Sequence, residues 1–246
     1  MKINFYILAI CCAVSFLTSA QETFTGTLDQ WSNGKADVVG GYGAPIKIGE
    51  INNDGVFIIH LTDDLIAQIK KDEKEYNSNS TDGWTTKAKT ISEVFYCESE
   101  NAEIINGSLP VEGFSYNGIY VLGIIESQKE LGGFRAVSSK AFNDSFFSYG
   151  QKDYTKGYFL DYYYVEDSAV VKGVCKSTNY TLDLKETFDI INEYNIDFKK
   201  GWNIVKTEVV ELYTDQSGKV FPLKTVWKTL DKIPEDVLFV FISLNK

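Results

Sequence analysis

Apolar and polar positions alternate along most of this chain, and the longest such stretch covers residues 157–214 (GYFLDYYYVEDSAVVKGVCKSTNYTLDLKETFDIINEYNIDFKKGWNIVKTEVVELYT). It is dense in Tyr, Phe, Val, Ile and Thr, contains no proline and is cut by short polar turns, a composition that favours a pleated, half-buried backbone. Residues 158–165 predict a strand, Glu166-Asp167-Ser168 a turn, and residues 169–175 the hairpin partner of that strand. A short strand follows at 180–184. Residues 188–198 and 202–214 predict two strands joined by Lys199-Lys200-Gly201, a hairpin connection with glycine at the left-handed position. Residues 220–230 carry Pro222, which argues for an edge or a strand start, and residues 237–244 close the chain as a buried-looking strand.

The N-terminal half shows the same rhythm over residues 24–31, 36–39, 45–49 and 56–61. Gly40, Gly41 and Gly43 mark a turn or loop. Asn52-Asn53-Asp54-Gly55 marks a hairpin turn, because Asn, Asp and Gly tolerate the positive φ such turns need. This order (a strand with Gly26, a polar loop, a strand, Asn-Asp-Gly-Val-Phe, a strand) resembles the small transthyretin-like sandwich called carboxypeptidase regulatory-like, over about forty residues. That resemblance implies a structural or spacer domain with no active site. The run Asp-Phe-Lys-Lys-Gly-Trp-Asn at 197–203, after a Tyr-rich hairpin, resembles a pattern in uncharacterised secreted bacterial β proteins and implies no known chemistry.

Helical spacing is confined to two places. Thr62 can cap a helix reaching to about Tyr76, with Asp63 and Asp64 suited to its positive end and Leu65, Ile66 and Ile69 forming one apolar stripe. Thr90-Ile91-Ser92-Glu93 matches a capping box. Residues 95–97, 102–105 and 118–127 predict strands, 128–133 a polar turn, and 134–147 fits either strand or helix. The expected fold is mainly β: an antiparallel β-sandwich architecture of two sandwich-like domains with one or two short helices. Its divisions are a leader at 1–20, a small sandwich at 21–62, a helix and linker at 63–90, and a larger antiparallel domain at 91–246.

The first twenty residues change the picture of where the protein works. Lys2, an apolar run over 3–17 and Thr18-Ser19-Ala20 have the layout of a secretory signal peptide cut after Ala20. The run is too short to span a bilayer, which takes roughly twenty residues. Cys11 and Cys12 raise lipidation as the alternative, although Ile10 stands where a small residue is usual. The chain's net charge is −10. An acidic surface is repelled by phosphate backbones, which argues against nucleic acid as a partner. Cys97 and Cys175 can pair in an oxidising compartment if the fold brings their Cα atoms close enough.

Candidate chemistry is sparse. The single histidine, His60, lies between Ile59 and Leu61 and reads as a sheet histidine, so neither a zinc cluster nor a serine or cysteine hydrolase is indicated, and no cofactor motif is present. The run from Glu50 to Gly55 resembles the start of a calcium loop but has Leu61 where the bidentate acid belongs. A glycosidase needs two carboxylates, and Asp161, Glu166, Asp167, Glu208 and Glu211 are the acids to consider. The most suggestive pattern is aromatic: Tyr158, Tyr162 and Tyr164 share one strand face, with Phe159 and Tyr163 on the other. If exposed, that face is a platform for a glycan or a protein ligand; if buried, it is core. Trp31, Trp84, Trp202 and Trp227 carry the same two readings. The expected function is therefore an exported, non-enzymatic binding module, with a carboxylate-pair glycoside hydrolase or a structural spacer as alternatives.

Overall fold

The computed structural model describes residues 23–40, 45–80, 85–97, 101–114, 119–123, 129–181 and 184–244. The expected leader with Cys11 and Cys12, the loop glycines Gly41 and Gly43, Trp84 and residues 124–127 lie outside them. The protein is mainly β, and its described residues form three helices and one large, mostly antiparallel sheet. No helix among the described residues is long and apolar enough to cross a membrane.

The N-terminal strands are β1 (Thr23–Asp29), β2 (Ala36–Gly40), β3 (Ile46–Ile51) and β4 (Val56–His60). The hairpin turn between β3 and β4 forms as its residues dictate. Asn52 Oδ1 accepts from the Asp54 and Val56 amides at 3.0 and 2.9 Å, and Gly55 takes a φ of 80°. Residues 21–62, expected as a sandwich of their own, do not stand apart. β1 runs parallel to the last strand, β15 (Leu238–Ser243), and β2 pairs with β8 (Ile119–Gly123). β9 (Lys129–Val137), lying partly where a polar turn was expected, pairs with both β8 and β15. The path β15-β1-β4-β3-β2-β8-β9 therefore returns to its start and closes a ring of seven strands. Phe24, Val38, Ile51, Phe57, Ile59, Phe134 and Phe239 fill it, each under a twentieth exposed or close to it. Closure removes the free edges that an isolated small sheet would expose. Gly26 is required by this packing, since a Cβ there would meet the Phe57 and Phe239 rings at 2.6 Å.

The rest of the sheet continues from β9 through β10 (Gly157–Val165), β13 (Gly201–Thr214), β14 (Val220–Leu230), β12 (Thr187–Phe198) and β11 (Ala169–Tyr180) to β6 (Ala102–Ile105). Two expected hairpins are corrected by this order. β11 does not pair with β10 across Glu166-Asp167-Ser168; it pairs with β12 over its whole length. Nor do β12 and β13 pair across Lys199-Lys200-Gly201, because β14 inserts between them, parallel to β12 and antiparallel to β13. Gly201 does adopt the expected positive φ, at 96°. A three-residue turn thus links β10 and β11, which are four steps apart in the sheet, so the sheet must curl to bring their ends together.

The hollow of that curl is a second core. Phe95 sits at its centre, 5.9 to 6.1 Å from the rings of Tyr163, Tyr194, Phe198 and Trp227. Phe95 belongs to the C-cap of α2 (Ile91–Val94), not to a strand, and the Thr90 capping box forms with Glu93 as its sequence implies. Cys97 and Cys175 are joined by a disulfide with a Cα–Cα distance of 5.5 Å, fastening this segment to β11. The ambiguous residues 134–147 divide into the end of β9 and α3 (Lys140–Phe146), which covers a third core around Phe142 and Phe159. α1 (Asp63–Asn79) carries its Thr62 cap, and Leu65, Ile66 and Ile69 are buried against the ring core.

Candidate functional site

The tyrosine face does not form an exposed row. Tyr158, Tyr162 and Tyr164 are 5, 6 and 8% exposed and belong to the ring core. Tyr162 stacks on Phe24 at 4.8 Å, Tyr164 meets Trp202 edge-on at 5.6 Å, and Tyr158 donates its hydroxyl to Asp236 at 2.8 Å. The physical reason is that β10 is covered on both sides: α1 and the ring pack on one face, and the 91–97 segment and α3 on the other. Burial pushes the phenols of Tyr158 and Tyr162 well above their ordinary range, helped at Tyr158 by the Asp236 carboxylate. The other aromatic candidates are also packed. Trp202 stacks on Phe114 at 5.7 Å, Trp31 meets Phe241 edge-on at 5.0 Å, and Trp227 meets Phe95 edge-on at 6.0 Å.

The acids considered from sequence are not brought together either. Asp161 is buried on the β10 face opposite to Tyr158, within reach of the Tyr163 hydroxyl at 3.4 Å. Glu208 lies on the Tyr158 side, paired with Lys206 at 2.6 Å. Glu166 is held by Lys70, whose hydrogen bond keeps its carboxyl below the usual range. His60 is exposed on the outside of the ring, 3.1 Å from the Thr23 hydroxyl. Among the described residues no group of three or more His, Cys, Asp or Glu is placed to hold a metal ion.

A site that the sequence did not suggest lies at β7 (Pro110–Phe114). This strand pairs with β10 through residues Val111 to Phe114, but with the two-residue β5 (Lys89–Thr90) only at Pro110 and Val111. Past that point a cleft of about 840 Å³ opens between residues 85–89, α1 and the strand. Glu112 and Gly113 line its floor, Glu73 of α1 one side, and Lys87, Lys89 and Glu93 the other. Glu112 is only 6% exposed, and no hydrogen bond or ion pair from the described residues reaches it. Burial raises its carboxyl above the ordinary range, the charges of Glu73 and Glu166 raise it further, and Lys70 opposes them. Lys70 is committed to Glu166 and so leaves Glu112 without a direct counter-ion. Glu93 differs: hydrogen bonds from the Thr90 amide and hydroxyl hold it ionised below the usual range.

The two walls are fixed by different means. α1 is seated by its apolar stripe, and the 85–97 segment by Ile91 and Phe95, both essentially without exposure, together with the disulfide. The cleft is therefore a rigid setting for one desolvated carboxyl, the kind of perturbed group in a concavity that marks a candidate site. Chemically, such a carboxyl can hold a cation or donate a proton. Glu112 was legible only as one acid within the short apolar run Pro110-Val111-Glu112-Gly113-Phe114; neither its burial nor its nearness to Glu73 follows from spacing. Compared with family models, with curated proteins and with solved structures, the chain matches none.

Proposed function

We propose that this protein is an exported, non-catalytic binding module and that the cleft beside β7 is its ligand seat. The observation that carries this reading is Glu112, an unpaired carboxyl at the floor of a concavity whose walls are held in place from both sides. In this reading the ring and the curled sheet serve as a scaffold. Of the two ligand classes considered, a protein is favoured over a glycan. The tyrosines that would have stacked on sugar rings are core residues, and the cleft is lined by charged groups and strand backbone. The test is retention of the mature protein on peptide and glycan arrays, beside an Ala88→Trp variant that fills the cleft from its wall. Loss of retention with an unchanged melting temperature supports the reading, and equal retention by the variant removes it.

One observation favours a second reading: Glu73 shares the cleft with Glu112, so two carboxylates with different environments face one space. A glycoside hydrolase would use the raised one as acid and the other as base or nucleophile. Turnover of a panel of p-nitrophenyl glycosides, abolished by Glu112→Gln, would select that reading; the binding-module reading expects no turnover.

A further inference from the structure

We infer that the cleft beside β7 recognises a primary ammonium on an alkyl stem, the end of a lysine side chain presented by a protein ligand. This rests on the binding-module reading and specifies the chemistry of the same site. Charge changes sign with depth in the cleft. At the floor, Glu112 has no ion pair among the described residues, Glu73 adds negative potential, and Lys70, the cation whose charge acts on it, is tied to Glu166. At the mouth stand Lys87 and Lys89. The Lys87 side chain is 80% exposed and reaches Glu93 only at 3.8 Å. A buried carboxylate without a partner is strongly disfavoured, and a compact cation restores what burial removes. An ammonium, being a compact charge on a flexible stem, suits a single buried carboxyl better than a guanidinium, whose planar fork is matched by paired acceptors. The exposed lysines at the rim then favour a ligand with an acceptor or carboxylate some distance from its ammonium.

Because the ligand's charge and the proton compete for Glu112, binding is linked to pH. The charged groups acting on Glu112 are Glu73 and Lys70 from α1 and Glu166 from the turn after β10, while Lys87, Lys89 and Glu93 line the far wall of the cleft; Tyr164 lies opposite Glu112 on β10. The carboxyl is raised in the free protein and lowered by an ammonium, so affinity is highest above the free value and falls as the pH drops through it.

The experiment is a titration followed by amide NMR shifts of Glu112 and Gly113, with n-butylammonium, neutral 1-pentanol and 6-aminohexanoate as probes. The expected result is saturable shifts with n-butylammonium, tighter binding of 6-aminohexanoate, and none with 1-pentanol. Affinity should weaken at least about 10-fold in Glu112→Gln, and should fall as the pH is lowered from 8 through the acid range. Saturation by 1-pentanol, or undiminished n-butylammonium binding in Glu112→Gln, overturns the inference. If Glu112→Gln does not fold, Glu73→Gln and the pH series on the unmodified protein decide it, because a site blind to charge responds to neither. The two proposals fail separately: array retention lost in Ala88→Trp with no response to n-butylammonium leaves a binding cleft of different chemistry.

Discussion

Tyr162→Phe should stabilise this protein. The Tyr162 hydroxyl is fully buried and has no hydrogen-bond partner among the described residues, and its ring lies flat on Phe24, 4.8 Å away and 7° from parallel. In the unfolded chain that hydroxyl is hydrogen-bonded to water, so folding strips it without compensation, at about 1–3 kcal/mol. Removing the oxygen returns that penalty and leaves a void of roughly 10 Å³, worth only about 0.2 kcal/mol at the usual cavity coefficient. The ring, its stacking and its apolar burial stay. The net expectation is a gain of about 1 kcal/mol, which for a chain of this size raises the melting temperature by about 2–4 °C. Calorimetry of both proteins at pH 7, with urea midpoints as an independent measure, checks it. A fall in melting temperature would refute the reasoning, because it would mean that the hydroxyl makes a hydrogen bond whose loss is felt. The same substitution should leave ligand retention unchanged, since the ring belongs to the core and not to the cleft.

Replacing both Cys97 and Cys175 by Ala removes a link across a sequence separation of 78 residues. The chain-entropy relation gives a loss of about 4.5 kcal/mol; urea denaturation would measure it, and a loss under about 1 kcal/mol would mean the segment is held by Phe95 packing alone. Gly26→Ala places a Cβ 2.6 Å from two rings inside the ring core and should destabilise by about 1–3 kcal/mol; an unchanged urea midpoint would show that Phe57 and Phe239 can move aside. Stability should also fall at alkaline pH. Tyr158 and Tyr162 are raised above the ordinary value of 10.0 in the folded state, so the stability they retain below pH 10 is lost as the unfolded chain ionises above it. Tyr162, the fully buried one, contributes a slope of up to about 1.4 kcal/mol per pH unit once the unfolded phenol ionises, and in melting measurements across that range Tyr162→Phe should make the fall in stability above pH 10 shallower by about that amount.

Much of the local structure was legible because it depends on neighbours in sequence. The Thr62 cap with Asp63 and Asp64, the Thr90 box with Glu93, the Asn52 to Gly55 turn and the positive φ of Gly201 are short-range contacts. The period of two in residues 157–165 likewise fixed β10 as a strand and sorted its side chains into two faces. It did not say which face meets water, because aromatic residues on both faces mean only that both can be buried, and the covering comes from α1, α2 and α3. Pairing partners were equally out of reach: a three-residue turn usually joins neighbours, yet here β14, arriving from later in the chain, displaced β13 from β12 and left β10 and β11 apart. The candidate site shows the same limit. Composition and periodicity determined a β protein with four cysteines and an excess of acids, whereas closure of the ring and curling of the sheet decided that Glu112 would be largely buried without a partner among the described residues. Desolvation depends on everything that packs around a group, and that is set by contacts distant in the chain.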